Sequence, residues 1–256
     1  MWTRLLHSSR PLPCLGMRQL SFPIITARLS TLQSRPASST KPLPKDCPVN
    51  YGVLLFPGFQ ALDAFGPLDA LNFLSRRTHI KFSVIAPTLD PVSTTDPAAP
   101  HTIGQHVVPT HSLNRLPEDL EVLLVPGGLG TRQIQQTECL VECLRATYPR
   151  LKYLLTVCTG SSLAARAGIL DGKKATSNVA EFKWVMSCGE KVDWVPSARW
   201  VTDGNIWTSS GVSAGMDMMY AFIADIYGSA VAADIALQSE YVRNLDSTND
   251  PFAPLM

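Results

Sequence analysis

The chain of 256 residues has no acidic residue before Asp46, no histidine after His111, no Cys-x-x-Cys pair and no long uninterrupted apolar run. A helical membrane span needs about 18 consecutive apolar residues, so none is expected. The six cysteines, Cys14, Cys47, Cys139, Cys143, Cys158 and Cys188, lack metal-ligand spacing. Cys139 and Cys143 are four apart with no histidine nearby, which argues against a zinc set. No metal and no cofactor are expected. All five histidines, His7, His79, His101, His106 and His111, precede Cys158. A Cys–His catalytic pair would have to borrow from the 101–111 segment.

The missing acids are concentrated at one end. Residues 1–45 hold seven of the 22 basic residues, among them Arg4, Arg10, Arg18, Arg28 and Arg35, which leaves 15 basic against 21 acidic residues and a net charge of −6 in 46–256. An acidic domain lacks the basic surface that neutralises phosphates, so no nucleic-acid partner is expected. The first 45 residues are rich in Ser, Thr and Pro as well as arginine. That composition suits a mitochondrial transit peptide, or alternatively an unstructured extension on a cytoplasmic protein. The domain is expected over 46–245, with a C-terminal tail over 246–256.

What is present alternates between strand and helix signals. Apolar runs at 51–56, 80–86, 121–125 and 153–157 read as buried strands. Helical spacing is expected over 67–75, 137–148, 180–187, 213–227 and 229–241. Between 87 and 117 a Thr/Pro/His-rich loop carries short strands near Val92 and 103–108, and a hairpin is expected about Asp203-Gly204. Repeated β-α alternation with buried strands implies an α/β fold with a doubly wound, mainly parallel sheet covered by helices on both faces.

In such a sheet the loops after the strands meet at one edge. Three of them carry chemistry: Pro57-Gly58-Phe59-Gln60-Ala61-Leu62-Asp63, Pro126-Gly127-Gly128, and Cys158-Thr159. Cys158 falls on a strand-to-helix turn, where the first N–H groups of a helix lower a thiol pKa from its usual value of roughly 8.5. The backbone of Gly127 and Gly128 and the amide of Thr159 are candidate oxyanion donors. Asp63, buried beside Cys158, would have a raised pKa and act as an acid. Structural roles remain open for each: Cys158 as a buried small hydrophobe, Asp63 as a helix cap, the glycine pair as a tight turn. Phe59, Phe65, Trp184, Trp200 and Trp207 line an apolar pocket or fill the core.

These segments, with Thr-Val-Cys-Thr-Gly-Ser at 156–161, Leu-Asp-Gly-Lys-Lys-Ala-Thr at 170–176 and Ser-Ser-Gly-Val-Ser-Ala-Gly-Met-Asp at 209–217, resemble the ThiJ/PfpI superfamily and its isocyanide (isonitrile) hydratase branch. The resemblance covers about residues 50–242. It implies a flavodoxin-like fold, a homodimer and a small-molecule substrate. It also implies that Cys158 is the nucleophile of a nucleophile elbow, with Asp63 and Thr159 beside it. Ser177-Asn178-Val179 departs from the pattern, because many superfamily members carry a histidine in that segment. Three functions follow from the resemblance: isonitrile hydration to an N-substituted formamide, glyoxalase-like action on a reactive aldehyde, or a non-enzymatic cysteine redox sensor.

Overall fold

The computed structural model describes residues 44, 46–96 and 98–253. The extension expected over 1–45, and with it the targeting reading, lies outside the described residues, Pro44 excepted. In chain order the elements are β1 (Asn50–Leu54), α1 (Ala61–Ser75), β2 (Lys81–Ala86), β3 (Val92–Ser93), β4 (His106–Val107), β5 (His111–Ser112) and β6 (Val122–Val125). There follow α2 (Glu138–Thr147), β7 (Tyr153–Val157), α3 (Gly160–Arg166), β8 (Lys174–Ala175) and α4 (Phe182–Ser187). The last are β9 (Asp193–Trp194), β10 (Trp200–Asp203), β11 (Ile206–Ser209), α5 (Ala214–Tyr227) and α6 (Ser229–Gln238).

Seven strands form one sheet in the order β10-β11-β7-β6-β1-β2-β5. Every pairing in it is parallel except the β10–β11 hairpin. The central strands are continuous apolar runs because helices cover both faces; Val53, Leu54, Val122–Val125, Leu154, Leu155 and Val157 are all buried. Phe59, Trp200 and Trp207 belong to this core, whereas Phe65 is exposed. The hairpin turn falls on Gly204-Asn205, one residue later than its Asp-Gly pair suggests. Gly204 there takes a φ of 60° that glycine tolerates.

The first helix is longer than its spacing predicts. It starts at Ala61 and passes through Pro67, where the missing N–H forfeits one intrahelical bond. Neighbouring Gly66 lets α5 approach closely, since a Cβ there would stand 2.7 Å from Met216 Cγ. Asp63 therefore sits in the first turn of the helix, on its buried face, and not on a loop ahead of it.

Residues 246–253, expected as a tail, are fastened to the domain. The N–H groups of Arg199 and Trp200 donate to the Ser247 carbonyl at 2.8 and 3.3 Å, and that of Asp250 donates to Ser197 O at 2.8 Å. Arg199, buried, pairs with two buried carboxylates: its guanidinium lies 2.8 Å from Asp217 Oδ2 and 3.4 Å from Asp250 Oδ1. It also donates to Ser213 Oγ at 3.1 Å. Asp217 Oδ1 accepts from the Tyr241 hydroxyl and the Asn244 N–H, both at 2.9 Å. Charges so buried persist only with such partners.

Candidate active site

Since β1, β6 and β7 are neighbours, the segments leaving their carboxyl ends converge. They are stitched through backbone: Gln60 N–H donates to Gly127 O at 2.8 Å, and Gly130 N–H to Gly58 O at 3.1 Å. The Gly127 N–H donates to Asp63 Oδ2 at 3.0 Å, and the Gly128 N–H to Thr159 Oγ1 at 2.9 Å. No side chain fits at either glycine. A Cβ at Gly127 would lie 2.6 Å from both Thr159 N and Thr159 Oγ1, and one at Gly128, whose φ is 132°, would lie 2.3 Å from Gly58 O.

The amides of Gly127 and Gly128, expected as oxyanion donors, donate in the structure to Asp63 and Thr159. Their work is to hold the acid and the threonine in place.

Cys158 turns the chain between β7 and α3 with a φ of 56°, a left-handed conformation that a side chain makes costly by about 1–3 kcal/mol. Its surroundings enforce it. The Cys158 N–H donates to Ser209 O on β11 at 3.1 Å, while its carbonyl accepts from Ser177 Oγ at 2.9 Å and Ser161 Oγ at 3.0 Å. The residue is 7% exposed.

Asp63 is fully buried, and its Oδ1 has no hydrogen-bond partner. Burial pushes its carboxyl from 3.8 up to about 7, against the opposing pull of the Gly127 amide and the Cys158 thiol. At Cys158 burial raises the thiol pKa well above its usual value, and the Asp63 charge adds to the rise. The N–H groups of Thr159 and Val212 and the Thr159 hydroxyl pull it down, but less strongly. Burial thus opposes the helix-start amides expected to favour a thiolate. In a dry pocket beside a carboxylate, the charged sulfur is disfavoured more than a few N–H groups favour it. The Asp63 charge disfavours the thiolate, so the two groups are coupled in their titration.

A profile of the DJ-1/PfpI family matches residues 52–225. The chain belongs to the DJ-1/PfpI family. It is 32% identical to an isonitrile hydratase of Pseudomonas putida over 191 residues, covering 74% of this chain and 77% of that protein. It is 33% identical to a deglycase of Pyrococcus horikoshii over 100 residues, which is 39% of this chain and 58% of that protein. Among solved structures, a ThiJ/PfpI family protein from Pseudomonas syringae superposes with a TM-score of 0.66 at 29% identity, covering 84% of this chain and 85% of that one. The mainly parallel sheet with surrounding helices is the flavodoxin-like fold of that family.

Of the site residues read from the sequence, Cys158, Asp63, Thr159, Gly127 and Gly128 come together in this DJ-1/PfpI domain. Val212 and Ser177 were missed in these roles. Val212, whose N–H pulls the thiol pKa down, has a φ of 39°, a conformation no β-branched residue advertises. Ser177, in the segment where many family members carry histidine, holds the Cys158 carbonyl instead. His111 lies on edge strand β5, four strands from β7, which is about 19 Å at usual strand spacing, and His106, on β4, pairs with Ser93 of β3, whose carbonyl accepts from the Gly58 N–H at 2.9 Å.

Proposed function

We propose that the protein hydrates a small isonitrile to an N-substituted formamide at Cys158. One observation carries this reading: Asp63 is fully buried at the Cys158 turn, with Oδ2 held by the Gly127 N–H at 3.0 Å and its carboxyl pushed up to about 7 by burial, while the chain holds no histidine after His111. Hydrolysis of an amide or ester must protonate a poor leaving group, a task suited to histidine. Addition to an isonitrile needs only that one proton be taken from sulfur and returned to carbon.

The steps balance. Asp63 carboxylate accepts the thiol proton as the Cys158 sulfur bonds to the terminal isonitrile carbon, and protonated Asp63 returns the proton to that carbon, giving a thioimidate. Water adds to the same carbon, with one of its protons going to nitrogen. The C–S bond then breaks, the sulfur recovers a proton, and R–NH–CHO leaves. The N–H groups of Thr159 and Val212 face the sulfur and stabilise the charge it carries as it leaves. No charged cofactor is required by this balance.

The similarity to the Pseudomonas putida isonitrile hydratase, spread over 74% of the chain, supports the assignment. Incubation of the purified protein with methyl and cyclohexyl isocyanide, with formamide formation followed by mass spectrometry, tests it. Turnover that disappears in Cys158→Ala is the expected result. Absence of turnover with either compound, or turnover retained by Cys158→Ala, rejects it. Lactate formed from methylglyoxal by wild type alone would transfer the site to aldehyde chemistry.

A further inference from the structure

A cavity of about 460 Å³ is bounded by the 178–180 loop, the 210–213 turn and Phe252, and one of its lining residues, Val212, has its N–H acting on the Cys158 thiol. Residues adjoining its first two walls bond to the cysteine backbone. Ser177, next to Asn178, donates to the Cys158 carbonyl at 2.9 Å; Ser209, next to Ser210, accepts from the Cys158 N–H at 3.1 Å; and the Val212 N–H reaches the sulfur. Among the described residues no charged one lines the cavity, which suits a neutral and largely apolar group.

The third wall comes from the far end of the chain. Phe252 is 51% exposed, an unusual position for a large aromatic side chain. Its backbone is held by a short turn: the Phe252 N–H donates to Asp250 Oδ1 at 3.1 Å, and the Ala253 N–H to Asp250 O at 3.0 Å. Asp250 in turn is buried against Arg199, whose guanidinium also holds Ser213 at the opposite wall. One buried arginine thus sets the distance between the two sides.

We propose that Phe252 is a specificity-determining residue, the wall that limits the size of the substituent presented to Cys158. The idea rests on Cys158 being the reacting group, but its test need not rest on isonitrile turnover. The full-length protein and its Phe252→Ala variant are labelled with iodoacetamide and with N-(1-pyrenyl)maleimide, and modification of Cys158 itself is timed by peptide mass spectrometry. The bulky reagent should label the variant about 10-fold faster than wild type, with less than about a two-fold change for iodoacetamide, a discrimination of the size that apolar pocket walls provide. Phe252→Trp should slow the bulky reagent. Equal acceleration of both reagents, or no change in either, overturns the proposal.

A second readout is the ratio of kcat/KM for cyclohexyl over methyl isocyanide, which should rise in Phe252→Ala. If neither isocyanide is turned over, the reading of function fails while the labelling experiment still decides the role of Phe252. If both are turned over and the ratio does not move, Phe252 does not select substrate.

Discussion

The amide of Gly127 donates to Oδ2 of Asp63 at 3.0 Å, and a methyl group on Gly127 would stand 3.0 Å from that same oxygen. Hydrogen bonding and steric exclusion therefore act on one carboxylate from one residue. Gly127→Ala is expected to displace Asp63 and Thr159 together. Steady-state kinetics should show kcat/KM lower by about 100-fold, the usual effect of a displacement near 1 Å at a reacting group. Thermal unfolding should show a loss of about 1–3 kcal/mol from overpacking.

Activity should rise with pH through about 7. Below that value the pair carries two protons, and Asp63 has no vacancy for the thiol proton; above it one proton remains and the pair can act. The pH profile of kcat/KM should accordingly have an ascending limb near pH 7. Asp63→Asn should remove this limb and lower the rate by about 10²–10⁴-fold, as expected for loss of a proton-transfer group.

Stability should move the other way. A carboxyl raised from 3.8 to about 7 binds its proton more tightly in the folded than in the unfolded protein, so its contribution is complete below pH 4 and is lost as pH rises towards 7. The difference between wild type and Asp63→Asn, measured by urea unfolding from pH 4 to 8, isolates this group from the carboxylates whose pKa values are lowered, Glu121 and Asp203 among them. Wild type should lose on the order of 4 kcal/mol relative to the variant across that range.

Thr159→Val should leave the Gly128 N–H without its acceptor at 2.9 Å. An orphaned amide in this part-buried loop costs about 1 kcal/mol, the low end of the usual range, whereas Thr159→Ser, which keeps the oxygen, should stay near wild type. Denaturant unfolding of the two variants checks the contrast.

Arg199→Ala would strand the carboxylates of Asp217 and Asp250 in the interior. Removing one partner of a buried ion pair commonly costs about 3–5 kcal/mol. Calorimetry should show a large fall in Tm for this variant and a smaller one for Arg199→Lys, which keeps the charge without the fork that reaches both acids.

The residues that carry the site were legible because strand, turn and helix signals are local. An apolar run ending at Cys158 and a small-residue helix after it place the thiol at the sheet edge, and the Gly127-Gly128 pair after β6 marks a close approach. What local signals lack is the destination of each hydrogen bond. That the two glycine amides donate to Asp63 and Thr159 depends on contacts 64 and 31 residues apart in sequence. The direction of the thiol pKa was hidden for a related reason: a helix start is visible in sequence, but the burial that outweighs it belongs to the assembled core. Pro67 concealed the first turns of α1, since a proline reads as a helix boundary even where tertiary packing carries the helix through it.

The 246–253 segment has a consequence for how molecules of this protein meet one another. Strand β10 is the outermost member of the sheet, and an outermost strand with open amides is a template on which a neighbouring chain can add a strand. The Ser247 carbonyl occupies the amides of Arg199 and Trp200 where that strand begins, and the opposite edge, β5, is only two residues long. The sheet thus ends in one short rim and one capped rim, and its resistance to edge-to-edge aggregation depends on the last residues of the chain staying in place.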